Sequence, residues 1–143
     1  DGALARSISA VGGPSAIAEV VVRNYLAQQA ELGRVAAGVP VMSFVQTDAM
    51  VSPAHRADAA IVNPALASEA DTEAWGEVLA SVDASLIDAG VSSLRSVVAE
   101  VGDPIFIDAV HTNERGAELI ASAMFDELEP LISQLAPRVG SNG

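Results

Sequence analysis

Several features that would mark a function are missing from this chain of 143 residues. It has no cysteine, which excludes disulfides, thiolate nucleophiles and cysteine-ligated zinc. No apolar run approaches the roughly 20 residues of a transmembrane helix, so no membrane span is expected. The chain also starts at Asp1 and Gly2 rather than with the basic residues of a secretory signal. Together these absences leave the cellular compartment undecided.

Positive charge is also scarce. Seven arginines and no lysine stand against nineteen acidic residues, which gives a formal net charge of -12. This charge repels a phosphate backbone and an anionic membrane surface, and the arginines form no local cluster that would offset it. Nucleic acid and membrane surfaces are therefore not expected partners.

Apolar residues make up 50% of the chain and charged residues 18%, as in a folded domain of ordinary size. Apolar side chains at three- and four-residue steps predict three helices. The first helix follows Pro14, the second runs from an N-cap at Asp71 or Thr72 to Gly90, and the third begins near Asn113. We expect a loop before Pro14, and a kink or a helix end at Pro130.

Short apolar runs between these helices predict strands. Val39–Val45 is rich in β-branched residues and is typical of an inner strand of a parallel sheet. Val91–Val98 is ambiguous, and a strand near Val91–Leu94 is favoured over further helix. We expect Asp48–Ala70 to form a long irregular connection, of the kind that often covers a binding site. This alternation of helices and strands predicts an α/β domain.

One segment carries a pattern typical of catalysis. The apolar run Ile105–Ile107 ends at Asp108, and His111 follows three residues later, just before the last helix. A turn of this length can bring the carboxylate to the imidazole. The acid would then fix the tautomer of His111 and stabilise its protonated form, as the orienting acid and the base of a nucleophilic triad do.

Other interpretations of these residues remain open. The Asp-x-x-His spacing is common by chance, and Thr112 or Asn113 can serve only as a helix cap. His55 is either a contact on a loop above the site or, more commonly, an exposed loop histidine. A metal site would have to combine four residues whose spacing does not support it: His55, His111, Asp48 and Asp108. Trp75 and Tyr25 lie on apolar stripes and are expected in the core.

The segment from Phe106 to Ala121 resembles the last sequence block of the SGNH, or GDSL-type, hydrolases. Val39–Val45, after an alanine-rich helix, is similar to the preceding core strand of that family. The resemblance implies a flavodoxin-like three-layer α/β/α sandwich with a parallel sheet. It also implies a serine ester hydrolase acting on acyl esters, in which Asp108 and His111 are triad members and no cofactor or metal is used.

The family's Gly-Asp-Ser and Gly-x-Asn-Asp blocks are not found in this chain. Ser7, Ser9 and Ser15 lack a strand and a Gly-Asp pair before them, and Asn24 lies within a helical pattern. We therefore expect residues 1–143 to form the C-terminal portion of one domain. The nucleophile and the oxyanion hole would then lie on an upstream segment or a companion chain.

Two further functions remain as alternatives. A non-catalytic interaction domain with a degenerate or truncated fold would explain why no nucleophile is found. A flavodoxin-like nucleotide-binding domain is the weaker alternative, because the sequence contains no glycine-rich phosphate loop.

Overall fold

The computed structural model describes residues 2–51, 55–57 and 68–135, and 68% of this part is helical while 5% is strand. Five α-helices of this part are numbered here: α1 (Ala3–Ala10), α2 (Pro14–Val35), α3 (Glu69–Asp88), α4 (Arg95–Ala99) and α5 (Glu114–Leu135). A 3₁₀ turn spans Ala49–Val51, and residues 55–57 are helical. The two strands are β1 (Phe44–Val45) and β2 (Ser92–Ser93).

The expected three-layer α/β/α sandwich is wrong. Only two strands of two residues each are present in the described part, paired in parallel with Phe44 opposite Ser92 and Val45 opposite Ser93. The apolar run before β1 is largely exposed rather than covered on two sides, and Ile105–Ile107 contributes only an isolated bridge between Phe106 and Thr112. A strand needs a neighbour for its backbone hydrogen bonds, and the described residues supply only one such neighbour for β1.

The helices α2 and α3 pack together and form the first of two apolar clusters. Its buried members come from α1, α2 and α3: Ile8, Ala18, Val78, Val82 and Leu86. Tyr25 and Trp75 pack against this cluster, as their positions on the apolar stripes predict. The predicted start of α2 at Pro14 is confirmed, and Gly13 precedes it at φ 86°, a conformation that favours glycine.

The loop expected before Pro14 is instead the helix α1. A residue distant in sequence binds the first turn of α1: the backbone N–H of Ala5 donates to Asp71 Oδ1 over 2.8 Å. The backbone N–H of Gly2 also donates to Ser68 Oγ over 3.3 Å. Ser68, rather than the predicted Asp71 or Thr72, is the N-cap of α3. Capping groups that are distant in sequence therefore stabilise a helix that local patterning does not reveal.

A second apolar cluster combines residues from three separate segments of the chain. It is formed by Ala49, Met50, Val98, Ile105 and Phe106, with Ile120 of α5 packed against it. Trp75 touches both clusters and links them.

Three remaining expectations are corrected or only partly tested. Val91–Val98 contains both alternatives, since β2 covers Ser92–Ser93 and α4 follows from Arg95. Pro130 does not end the last helix, which continues to Leu135. Within Asp48–Ala70, residues 52–54 and 58–67 lie outside the described part, whereas the rest is mostly helical.

None of the described helices has both the length and the apolar character needed to span a membrane.

Gly116 in α5 provides a test of how closely this helix packs against the loop before it. A Cβ atom at this position would lie 2.7 Å from Thr112 Cβ and 3.0 Å from the carbonyl oxygen of Ile105. Because these neighbours are a backbone oxygen and a Cβ rather than the end of a flexible side chain, we expect Gly116→Ala to lower the free energy of unfolding by about 1–3 kcal/mol.

Gly33→Ala is the matched control, because Gly33 also lies in a helix and no atom is found within 4 Å of its added Cβ. We expect this variant to raise stability by about 0.5–1 kcal/mol, the usual difference between glycine and alanine in a helix. Urea unfolding of both variants measures the difference. Equal effects of the two substitutions would contradict the close packing at Gly116.

Candidate active site

The loop between Ile105 and α5 is folded by its own backbone. The N–H of Ile107 donates to the carbonyl of His111 over 2.8 Å, and the N–H of Asn113 donates to the carbonyl of Ile105 over the same distance. Asn113 also caps α5, because its Oδ1 accepts from the N–H of Gly116 over 3.0 Å. The capping function considered for Asn113 is therefore present. These bonds close residues 105–113 into a compact turn, which we call the Asp–His loop.

Asp108 organises the tip of the Asp–His loop. Its Oδ1 accepts hydrogen bonds from the backbone N–H of Val110 over 2.9 Å and of His111 over 2.8 Å. An aspartate that binds backbone N–H groups two and three residues ahead is a common local turn motif. The local sequence thus bends back on itself, and the His111 side chain returns to the carboxylate.

The structure brings the two residues of the predicted catalytic pair together. Nδ1 of His111 lies 2.7 Å from Oδ2 of Asp108, within hydrogen-bond distance. A carboxylate can only accept here, so Nδ1 carries the proton and Nε2 of a neutral imidazole is left as the acceptor. The His111 side chain is 74% exposed and that of Asp108 is 41% exposed. The neutral imidazole therefore offers the lone pair of Nε2, the acceptor that a general base needs.

The hydrogen bonds around Asp108 also govern its ionisation. The backbone N–H of Val110, then the backbone N–H and the side chain of His111, lower the pKa of the Asp108 carboxyl to about 2. The carboxylate is therefore charged throughout the physiological range. It accepts three hydrogen bonds and stays available to stabilise a positive imidazole.

Two hydrogen bonds from the segment after β1 also hold the Asp–His loop. The N–H of Ala49 donates to the carbonyl of Ala109 over 2.9 Å, and Gln46 Nε2 donates more weakly to the carbonyl of Val110 over 3.4 Å. The loop is thus fixed to the end of β1 as well as to α5. The Ala49–Ala109 bond joins two backbone groups and leaves no side-chain signature in the sequence, whereas Gln46 contributes its side-chain amide.

A buried ion pair lies next to this contact. Asp48 Oδ2 faces Arg95 Nε at 3.4 Å, with the two side chains 11% and 10% exposed. Burial raises the pKa of the Asp48 carboxyl above its ordinary value, while the nearby Arg95 charge acts in the opposite direction. Sequence reasoning considered Asp48 only as a metal ligand and missed Arg95. A charged residue at the end of an apolar run was the one available signal.

His55 is not the exposed loop histidine that composition favours. It is fully buried, its Nε2 donates to the carbonyl of Val98 over 3.0 Å, and its ring packs edge-on against Phe106 with centroids 5.2 Å apart. It therefore supports the base of the Asp–His loop. The interpretation of His55 as a residue overhanging the site from an exposed loop does not agree with this burial.

The four residues considered for a metal site have other partners. Asp48 faces Arg95, His55 binds a backbone carbonyl, and Asp108 binds His111. In the part of the chain that the structure describes, no group of three or more histidine and acidic side chains is arranged to hold a metal ion. Likewise, no hydroxyl group of the described residues forms a hydrogen bond with His111.

Comparisons of this chain with protein-family models, with curated proteins and with solved structures find no match in any of the three. What the site can do chemically therefore has to be argued from its geometry. An exposed imidazole with a charged carboxylate on Nδ1 can take a proton at Nε2 and return it.

The ionisation of Asp108 gives a direct test of this geometry. We expect its carboxyl carbon, followed by ¹³C NMR, to titrate with a midpoint of about 2 rather than near the ordinary value of 3.8. In His111→Ala the midpoint should rise but stay below the ordinary value, because the larger contributions from the two backbone N–H groups remain. A midpoint at the ordinary value in the parent would contradict the loop geometry.

The same shift predicts how the stability of the loop depends on pH. The pKa of Asp108 is lowered on folding, so its stabilising contribution is fully present above pH 4 or so. It is lost as the pH falls from there to about 2. Asp108→Asn should therefore reduce the melting temperature at pH 7 and have less effect at pH 3. Asp126→Asn, on an exposed part of α5, is the control and should show no such difference.

Proposed function

We propose that this chain contributes two members of the catalytic triad of a serine ester hydrolase of the SGNH type, acting on acyl esters. His111 is the base and Asp108 is the carboxylate that orients it. The observation that carries the proposal is the hydrogen bond between His111 Nδ1 and Asp108 Oδ2, which leaves Nε2 exposed as the acceptor. In this mechanism His111 takes the proton of an attacking serine hydroxyl and then gives it to the leaving alcohol. Asp108 holds the tautomer and stabilises the imidazolium.

The nucleophile is proposed to lie on an upstream segment or on a companion chain. Two features of the described residues support this part of the proposal. No hydroxyl among them forms a hydrogen bond with His111, and the outer edges of the β1–β2 pair have no strand beside them. Exposed apolar side chains also occur before β1 and around the Asp–His pair: Val39, Val41, Met42, Ile107 and Val110. A strand bearing the serine would cover such a surface and pair with a free edge.

The alternative is a non-catalytic interaction domain, and one observation favours it. Among the described residues no hydroxyl group forms a hydrogen bond with His111, so the Asp–His pair has no nucleophile in contact with it. An Asp-x-x-His turn with a capping Asn113 has a sufficient structural role in closing the loop before α5. The two functions differ in whether a covalent serine adduct forms, which a fluorophosphonate probe detects.

We expect His111→Ala to lower turnover of an activated acyl ester by roughly 10²- to 10⁴-fold, the usual contribution of a general base. Folding should be unaffected because the side chain is largely exposed. The assay compares initial rates of p-nitrophenyl acetate hydrolysis by the complete assembly. The variant and the parent are compared in samples with the same circular dichroism signal, so that both contain the same amount of folded protein.

Glu118→Gln is the matched control for this substitution. Glu118 is also an exposed residue that forms an ion pair three positions away, with Arg115 at 3.6 Å. Loss of such a pair changes stability little, so the rate should stay within about twofold of the parent. A His111→Ala rate that is equally close to the parent would exclude the catalytic role.

The companion segment has its own test. We expect fluorophosphonate labelling to be absent when this chain is alone. Labelling should appear when an upstream segment containing a Gly-Asp-Ser block is added, with the label on the added serine. Labelling that is unchanged in Asp108→Asn and His111→Ala would contradict the proposed triad. A well-folded soluble monomer that never binds the segment would favour the interaction domain.

A further inference from the structure

Among the described residues, Asp48 and Arg95 form a buried charge pair for which the proposed mechanism gives no role. Asp48 uses both of its oxygens: Oδ1 accepts from the backbone N–H of Met50 over 2.8 Å, and Oδ2 faces Arg95 Nε at 3.4 Å. The second contact is an ion pair rather than a well-aligned hydrogen bond. Separating a buried pair by removing one partner is costly, because the remaining charge stays desolvated.

The backbone of Arg95 is held in place from α3. Its backbone N–H donates to Ser93 Oγ over 3.2 Å, and Ser93 Oγ donates to Asp83 Oδ1 over 2.6 Å. On the other side of the turn, Arg56 Nε donates to the carbonyl of Met50 over 3.0 Å. The charged groups that act on Asp48 are therefore Arg95, Asp83 and Arg56. The turn from Asp48 to Met50 is fixed from two directions.

Ala49 lies between the two fixed residues and is fully buried. Its N–H belongs to the peptide group that joins it to Asp48, and it donates to the carbonyl of Ala109, next to Asp108. Rotation of the Asp48 side chain away from Arg95 would release the Met50 N–H, and the Asp48–Ala49 peptide group would lose a bond that fixes the turn around it. The Ala49–Ala109 hydrogen bond would weaken as a result.

We propose that Asp48 is a positioning residue for the Asp108–His111 pair, that it acts through the Ala49–Ala109 hydrogen bond, and that Arg95 holds its carboxylate. The effect of Asp48 on catalysis rests on the proposed hydrolase function. Its effect on the orientation of His111 does not. In the chain of contacts, α3 fixes Arg95, Arg95 fixes Asp48, and the turn after β1 then holds the Asp–His loop.

The test compares Asp48→Ala with the parent by two NMR measurements on the complete chain. Amide hydrogen exchange of Ala49 should accelerate by roughly tenfold or more, as expected when a hydrogen bond that depends on a charged group is lost. The ring ¹⁵N signals of His111 should change from the pattern of a single Nδ1–H tautomer to that of a mixture. Glu31→Gln, which breaks the exposed Glu31–Arg34 pair, is the control and should change neither.

Because Asp48→Ala leaves Arg95 buried without its partner, that variant can fail to fold. The double variant Asp48→Ala/Arg95→Gln removes both charges together, and with them the acceptor of the Met50 N–H, and so avoids this penalty. The same two changes are expected in it. Unchanged Ala49 exchange and unchanged His111 signals in a folded variant would overturn the proposal. So would an equal loss of protection at Val78 and Val82 in α3, which would show only a general effect on stability.

The outcomes also separate this proposal from the hydrolase function. Changed Ala49 exchange and His111 signals, in a chain that never gives a fluorophosphonate adduct, would support the positioning role and reject the hydrolase alone. Unchanged signals in an assembly that is labelled normally would reject the positioning role alone.

Discussion

The Asp108 carboxylate is the group on which the candidate site depends. One of its oxygens accepts two backbone N–H groups and closes the turn, while the other accepts the Nδ1 proton of His111. A single side chain thus determines both the path of the backbone and the tautomer of the imidazole. The bonds to the backbone are also the main reason why its pKa is low, so the charge that His111 needs is maintained by the fold of the loop itself.

The surroundings of this carboxylate differ from those of Asp48. Asp108 is partly exposed and needs no cation beside it, because backbone N–H groups stabilise its charge. Asp48 is buried, and its charge depends on Arg95. The exposed acid is arranged for interaction with an imidazole that meets solvent, whereas the buried acid is arranged to hold a turn. Two aspartates at similar places, each after a short apolar run, therefore have separate physical roles.

The molecule places these groups on a helical scaffold rather than on a large sheet. The α2–α3 pair and the cluster around Ile105 carry the apolar core, and Trp75 connects them. The two-residue strands contribute few backbone hydrogen bonds, but they align Asp48 and Arg95 just beyond their ends. Exposed apolar residues near β1 and the Asp–His loop are the surface that the proposed companion segment would cover.

The sequence alone determined the features that depend on neighbouring residues. The starts of α2 and α5 and the approach of His111 to Asp108 all follow from periodicity, proline placement and the length of one turn. The tertiary structure decided what depends on distant partners. Asp71 accepts a hydrogen bond from the first turn of α1. No further strand lies beside β1 in the described part, so the expected sandwich is not formed. His55 is buried and is therefore a core residue. Local patterns report only nearby hydrogen bonds and apolar spacing, whereas capping groups, strand neighbours and buried ion pairs are selected by the packing of the whole chain.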